Sequence, residues 1–248
     1  MTRAPIPILM YHQVEARPAK GTPLRGLVVS PQSFTSQMAW IKRLGYQGLS
    51  MPNLMPYLLG EKTGKVVGIT FDDGYVNNLD NALPVLQKYG FSATCYIVSN
   101  QPGGSNVWDH AKGITPKPLK THAHKREWIA GGQDIGAHTC SHADLTKLSA
   151  EQALQEIAGC KQQLEDAVGR VVEHFCYPYG FYDASHEAMV EDAGYQTATT
   201  TQRGRAIAPA ASAPTNGLLS LPRVPVMGST WWLQFVRKIT TGYEDGRS

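Results

Sequence analysis

The stretch "GITFDDGYVNN", residues 68–78, places two adjacent acids directly after what reads as a buried strand. An Asp-Gly pair is common in turns, and a turn is the simpler interpretation of this stretch alone. However, the side chains of Asp72 and Asp73 leave an extended backbone in different directions. They could therefore do two tasks at one site, one acid holding a metal ion and the other accepting a proton.

Three other segments share a pattern in which a helix-like stretch is followed by Gly, an aromatic residue and a β-prone run. They are "RLGYQGLS" (43–50), "KYGFSATCYIV" (88–98) and "DAGYQTATT" (192–200). Gly is favoured just past a helix end because it enters the left-handed region without a Cβ penalty. Each segment thus predicts a helix, a turn and a strand, as in the parallel βα units of a barrel or a doubly wound sheet.

Two of the predicted helices carry start signals. Ser30 can cap a helix that has Pro31 at its first position, and Ser149 with Gln152 forms a capping-box pattern. The predicted strands are 7–12, 65–71, 93–99, 133–139, 173–180 and 195–201. Because polar residues follow most of them, we expect the active face at the C-terminal ends of the strands. Two long connections, 99–125 and 201–220, are expected to be functional or mobile.

Composition narrows the class of protein. The chain has 248 residues, 42% of them hydrophobic, which is enough for one domain over 1–248. The formal net charge is +3 with 17% charged residues, so no nucleic-acid partner is expected. The four cysteines lack C-x-x-C spacing and are expected to be reduced thiols. With no secretory signal and no long apolar run, we expect a protein without a transmembrane segment that is cytoplasmic, or periplasmic or secreted if a leader was removed.

Histidines supply the partners for the two acids. "HTCSH" (138–142) puts His138 and His142 four residues apart after a predicted strand, and a turn or helix would place both rings on one side. Two His and one Asp are suitable ligands for Zn²⁺. Two more predicted strand ends are candidate parts of the site, "FCYPYG" (175–180) and "PILMYHQV" (6–13), although each also has an ordinary structural interpretation.

The ordered set T-F-D-D-G, H-T-C-S-H and Y-P-Y-G resembles the polysaccharide deacetylase family, that is, the NodB homology domain of carbohydrate esterase family 4. The resemblance extends from about His12 to Arg223 and implies a distorted (β/α) barrel. It also implies that Asp73, His138 and His142 bind a divalent metal, with Zn²⁺ the preferred ion. Asp72 matches the general base of the family, and the backbone N–H of Tyr179 matches its oxyanion donor.

The chain departs from the family pattern at two places. Many members begin the third motif with an Arg that hydrogen-bonds the base, whereas this chain has Phe175 or Cys176 at that position. Many also have a late L-x-H motif that provides the acid, whereas this chain reads "SLPRVPV" (220–226). Both differences resemble the poly-N-acetylglucosamine deacetylase subgroup, in which the proposed acid is an N-terminal His, here His12. From the need for a positive charge, we also predict that Arg223 lies beside Asp72.

The predicted function is metal-dependent removal of N-acetyl groups from N-acetylhexosamine residues of a glycan. An alternative within the hydrolases is deacetylation of a lipid-linked or lipopolysaccharide amino sugar. A non-haem iron oxygenase and a silent glycan-binding module are the other classes considered, and the retained Asp72 speaks against the module. The segment 228–243 predicts a terminal helix that packs on the barrel, with sugar stacking or contact with a membrane surface as alternatives.

Overall fold

Alternating strands and helices dominate the computed structural model, which describes residues 4–207 and 215–247. The predicted connection 201–220 falls partly outside these ranges. Within them, the strands are β1 Ile8–Tyr11, β2 Gln13–Val14, β3 Val28–Val29, β4 Gln47–Leu49, β5 Val66–Phe71, β6 Thr94–Ile97, β7 Asp134–Ala137, β8 His174–Cys176, β9 Thr197–Arg203 and β10 Leu221–Pro225. The helices are α1 Pro31–Arg43, α2 Met51–Leu58, α3 Val76–Asn81, α4 Leu83–Tyr89, α5 His122–Ala130, α6 Ala150–Val168, α7 Ala184–Asp192 and α8 Trp232–Thr240.

Seven parallel strands close into a barrel. The sheet runs in the order β1-β10-β9-β8-β7-β6-β5, and β5 pairs again with β1, with Ile8 opposite Gly68 and Tyr11 opposite Phe71. β4 adds to the amino-terminal half of β5, and β2 pairs with β3 in a separate two-stranded sheet. The predicted distorted (β/α) barrel is therefore confirmed, and the doubly wound alternative is wrong.

Local sequence signals account for the helix boundaries. The side chain of Ser30 accepts a hydrogen bond from the Ser33 N–H ahead of α1, and Ser149 with Gln152 forms the predicted capping box of α6. The predicted connection 99–125 is shorter than expected, because α5 already begins at His122 after a Thr121 cap. Within the described ranges, none of the helices combines the length and apolar character needed to cross a bilayer.

Side-chain alternation divides the strands between two apolar clusters. Alternate strand residues such as Ile8, Val66, Tyr96, Cys176 and Leu221 pack together with α2, whose Met51, Leu54 and Leu58 belong to the same cluster. The residues between them pack under the surrounding helices in the larger cluster. Because successive side chains in a strand point to opposite faces, the first set lines the barrel interior. The same alternation carries Asp72, two positions beyond Thr70, to the interior face at the end of β5.

Gly136 shows how closely the interior is packed. A Cβ at this position in β7 would lie 2.5 Å from the Tyr96 ring and 2.7 Å from the carbonyl oxygen of His174. The ring could turn aside, but the carbonyl belongs to the neighbouring strand β8 and cannot move without disturbing the sheet. The strand register at this point therefore depends on the missing side chain.

We expect Gly136→Ala to lower the free energy of unfolding by about 1–3 kcal/mol, because overpacking of this size forces the backbone to shift. Urea denaturation would measure it. Gly159→Ala in α6 is the matched control, since its added Cβ meets its nearest neighbour, the Cys140 sulfur, at an ordinary 3.5 Å and Ala favours the helix. Equal stability of the two variants would contradict this account of the interior.

Candidate active site

Four strands bring the predicted site residues to one end of the barrel. Asp72 follows β5, His138 follows β7, His12 follows β1, and Arg223 lies within β10. Asp72, Asp73, His138 and His142 are all buried, with at most 7% of any residue exposed, and Arg223 is completely buried. Since all the strands are parallel, these groups meet at the C-terminal ends of the strands, as expected for such a barrel.

Asp73, His138 and His142 converge on one point. The Oδ1 atom of Asp73 lies 3.5 Å from Nε2 of His138 and 3.3 Å from Nε2 of His142. Ligands held about 2.1 Å from a tetrahedral ion lie about 3.4 Å apart, so these separations match a shared cation. The donor set of two imidazoles and one carboxylate also suits Zn²⁺ with positions left open.

His138 is held in the orientation that a ligand needs. Its Nδ1 lies 2.7 Å from the carbonyl oxygen of Cys176, which can only accept a hydrogen bond. Nδ1 therefore carries the proton, and in the neutral ring Nε2 presents its lone pair to Asp73. A backbone carbonyl that fixes the tautomer in this way is the usual support for a metal-binding histidine.

His142 is oriented by aromatic packing. Its ring stacks on Trp108 with centroids 4.6 Å apart, and the edges of His138 and Tyr179 approach within 4.8 Å and 4.7 Å. Among the described residues, its Nδ1 has no hydrogen-bond partner. Burial lowers the pKa of His142 despite the nearby Asp73 carboxylate, which favours the neutral ring that can bind a cation.

The cluster holds positive charge even with protons alone. Burial alone would raise the pKa of Asp73, but hydrogen bonds from His138 and His142 outweigh it and hold that pKa well below the usual range. Burial likewise opposes charge on His138, yet the groups around it, including Asp73, raise its pKa well above the ordinary value. The buried Asp73 carboxylate therefore has one positive charge beside it, which a proton on His138 carries. A bound metal cation would replace that proton.

A second set of donors, Asp72, His138 and Cys176, also lies close together. Both oxygens of Asp72 are already bonded to Arg223, at 2.7 Å each, and the sulfur of Cys176 lies 3.2 Å from the same guanidinium. Arg223 thus already supplies a positive charge at this point. A metal ion there would meet an immobile cation, so the first set is the better candidate.

The structure places Arg223 beside Asp72, where the sequence analysis predicted it. Besides the two carboxylate bonds, the guanidinium donates to the Thr200 carbonyl at 2.8 Å and to Oγ1 of Thr70 at 3.1 Å. Burial raises the pKa of Asp72, but the charge and hydrogen bonds of Arg223 outweigh it and the net pKa is lowered. Asp72 is therefore an anion with a fixed orientation, outside the Asp73 cluster.

His12 and Tyr179 border the same cavity. Nε2 of His12 lies 3.9 Å from Oδ2 of Asp72, and the side chain is only 18% exposed. Tyr179 belongs to a short 3₁₀ turn, Pro178–Gly180, which follows β8 after one intervening residue, and its carbonyl accepts a hydrogen bond from Thr201 at 3.0 Å. The structure thus brings all seven predicted site residues to one place, while their chemical roles stay predictions.

Backbone strain is concentrated at this site. Among the described residues, the non-glycine positions with left-handed φ are Leu24, Asp73, Thr139, His142 and Tyr179. Four of these five line the cavity, and Thr139 follows His138 directly. Such conformations cost about 1–2 kcal/mol each, so they persist only where the surrounding structure enforces them. The turns that aim these side chains are therefore part of the site.

The cavity also has walls that the sequence analysis missed. It has a volume of about 170 Å³ and is lined in addition by Leu24, Leu27, Trp108, Asp109, Tyr177 and Thr201. Trp108 lies on the predicted long connection after β6, and Leu24 precedes a 3₁₀ turn, Arg25–Leu27. The only sequence signal was that the connection 99–125, which contains Trp108, is unusually long for a compact domain.

Removal of Arg223 tests the buried ion pair. We expect Arg223→Met to lower the free energy of unfolding by about 3–5 kcal/mol, because Asp72 would be left as an uncompensated buried charge. The double variant Arg223→Met/Asp72→Asn should recover part of that loss, since it removes both charges. Chemical denaturation would measure both effects. A double variant no more stable than the single one would show that packing, rather than charge, dominates.

Metal content distinguishes the two donor sets. We expect Asp73→Asn and His142→Ala to reduce the affinity for Zn²⁺ by at least 10–100-fold, the range found for lesser changes around metal ligands. Cys176→Ser should leave the affinity close to that of the unaltered protein. Competition with a chromogenic chelator would give the dissociation constants. Loss of metal binding in Cys176→Ser with retention in His142→Ala would place the ion at the second set.

Comparisons with known proteins agree with this geometry. The sequence matches the polysaccharide deacetylase family over residues 59–198. It is 32% identical, over 90% of this chain and 72% of the relative, to YxkH of Bacillus subtilis, which is named as a polysaccharide deacetylase. A poly-β-1,6-N-acetyl-D-glucosamine N-deacetylase of Staphylococcus epidermidis is 25% identical over 75% of this chain, which spans 65% of that relative's length.

A solved structure is similar over almost the whole chain. The deacetylase PplD of Streptococcus pyogenes, in complex with acetate, superposes with a TM-score of 0.81 and 27% identity. The match covers 96% of this chain and 99% of that one. Fold, sequence and the arrangement of acids and histidines together lead to one conclusion: the chain belongs to the polysaccharide deacetylase family, a family of hydrolases.

Proposed function

We propose that the protein is a metal-dependent N-deacetylase that acts on N-acetylhexosamine residues of a glycan. The observation that carries this proposal is the division of labour between the adjacent acids. Asp73 faces two histidines at 3.3 and 3.5 Å, whereas Asp72 is held aside by Arg223. Sugar binding alone has no need of a carboxylate fixed in this way, and the division corresponds to one ligand and one base.

Each residue would contribute one part of the hydrolysis. A cation held by Asp73, His138 and His142 would supply Lewis acidity, which makes water nucleophilic near neutral pH. Asp72 would accept the proton of that water, since each carboxylate oxygen retains a lone pair after its bond to Arg223. The backbone N–H of Tyr179 would donate to the developing oxyanion, a contribution of about 3–4 kcal/mol where such donors have been removed.

His12 would protonate the departing amine. Its Nε2 and Oδ2 of Asp72 are 3.9 Å apart, too far for a direct hydrogen bond but near enough for both to face the same reacting atoms. The carbonyl of His12 accepts a hydrogen bond from Asn78 at 2.9 Å, which fixes the backbone of this residue after β1. Base and acid would thus enter the cavity from neighbouring strands.

The names of relatives support a glycan substrate. The Staphylococcus epidermidis relative is named for poly-β-1,6-N-acetyl-D-glucosamine, and the Streptococcus pyogenes structure contains acetate, the expected product of deacetylation. We therefore propose β-linked N-acetylglucosamine polymers as the first substrates to test. Acetate release from such a polymer by the Zn²⁺-loaded protein would support the proposal. No release from either a polymer or a lipid-linked amino sugar would contradict it.

Variants of the two proton-transfer residues separate chemistry from metal binding. We expect Asp72→Asn to keep its metal and lower kcat by at least 100-fold, because general base catalysis contributes about 10²–10⁴-fold. His12→Gln should also retain metal and lower kcat within the same range. Acetate release and metal analysis on the same samples would measure both. Metal loss in Asp72→Asn would move Asp72 into the coordination sphere, and full activity in His12→Gln would place the acid elsewhere.

A further inference from the structure

One face of the protein combines exposed tryptophans with an uneven charge distribution. We define the basic aromatic face as residues 16–47 and 226–243. These two segments contain seven Lys and Arg residues and no Asp or Glu. The whole chain has 23 basic and 20 acidic residues, so the rest of it carries 16 basic against 20 acidic and is net negative. Only Lys238 of the seven is buried.

The two segments form one continuous surface. The N–H of Gly228 donates to the carbonyl of Gly26 at 2.8 Å, and the rings of Trp40 and Trp232 stack with centroids 5.4 Å apart. The guanidinium of Arg43 lies 5.0 Å from the Trp40 ring. Positive charge and aromatic surface therefore lie side by side, and helix α8 packs against α1.

Three consecutive apolar residues project from this face at the start of α8. Trp231 is 55% exposed, Trp232 52% and Leu233 39%, while Phe235 and Ile239 of the same helix are buried. A row of large apolar side chains in water is unfavourable, and on soluble proteins such a patch usually marks a contact surface. Tryptophan flanked by Lys and Arg is typical of helices that lie in the headgroup region of a bilayer.

We propose that the basic aromatic face docks on an anionic phospholipid bilayer, with Trp231, Trp232 and Leu233 entering the headgroup region. The lack of carboxylates favours a negatively charged surface, since each exposed Lys or Arg near such lipids adds attraction. This proposal goes beyond deacetylation and does not depend on it.

A glycan platform explains the same face less well. The rings of Trp231 and Trp232 are nearly perpendicular, at 81°, and one face of Trp232 is covered by Trp40. They therefore offer no flat surface along which successive sugar rings could stack. In addition, removal of acetyl groups would leave amines, and a cationic product would be repelled by this cluster of like charges.

The basic aromatic face lies next to the active site, so docking by this face would bring the active site close to the membrane. Leu24 and Leu27 lie within the first segment and also line the catalytic cavity. Arg17 packs near Gly228, where an added Cβ would lie 2.7 Å from its Nε. The same loop thus joins the lipid-facing surface to the cavity wall. A docked protein would hold its cavity beside the membrane surface, where amino sugars attached to lipid are found.

Co-sedimentation with vesicles tests the proposal directly. The unaltered protein should bind vesicles of mixed phosphatidylglycerol and phosphatidylcholine, bind phosphatidylcholine alone weakly, and dissociate as salt is raised. Lys42→Gln/Arg43→Gln should weaken partitioning by about 25-fold, at about fivefold per charge. The matched control Lys62→Gln/Lys88→Gln removes two exposed lysines from elsewhere and should change partitioning by less than about twofold.

Trp231→Ala/Leu233→Ala tests the apolar part, with circular dichroism to confirm folding and acetate release from a soluble oligosaccharide expected to be unchanged. The blue shift of tryptophan fluorescence on adding anionic vesicles should be largely lost in this variant.

Three outcomes would overturn the proposal: failure of the unaltered protein to bind, equal binding to both vesicle types, or equal weakening by the control pair. Capture by an insoluble glycan without vesicle binding would instead establish the sugar platform. Because vesicle binding needs no catalysis, it remains decisive even if deacetylation fails.

Discussion

The buried ion pair between Asp72 and Arg223 is the interaction on which the site depends. It joins the end of β5 to β10 across the barrel interior with two parallel hydrogen bonds of 2.7 Å. Arg223 also donates a hydrogen bond to the carbonyl of Thr200 in the neighbouring strand β9. Two unit charges in such a position are costly unless paired and fully hydrogen-bonded. The pair therefore fixes both the spacing of these strands and the orientation of the proposed base.

The same charges explain why the neighbouring acid needs a cation. Asp72 is neutralised by Arg223, whereas Asp73 is buried and faces the imidazoles of His138 and His142 and the hydroxyl of Tyr75. An anion in this position requires one positive charge, which either a proton on His138 or a metal ion can supply. Two acids that are adjacent in sequence thus have different electrostatic partners, and this difference, rather than their spacing, separates ligand from base.

Strand periodicity made much of this predictable. The predicted strand before Asp72 implied that the two adjacent acids point in different directions, and the missing positive charge beside the base led to Arg223. Which of the two acids faces the barrel interior was not predicted. The walls of the cavity could not be found in this way. Trp108 and Leu24 lie on loops without a period, and their positions depend on packing between segments far apart in the chain. The left-handed turns at Asp73 and His142 were missed as well. Such a conformation is usually predicted from a Gly, and neither residue is one.

The departure from the family pattern at the third motif follows from space and charge. The sulfur of Cys176 lies 3.2 Å from a guanidinium nitrogen of Arg223, so both side chains point to the same region of the barrel interior. A large cation at position 176 would compete for this volume and repel Arg223. A small neutral side chain on β8 leaves room for a guanidinium that arrives from β10. The requirement is therefore for one positive charge beside the base, and the strand that supplies it can differ as long as the facing position is small.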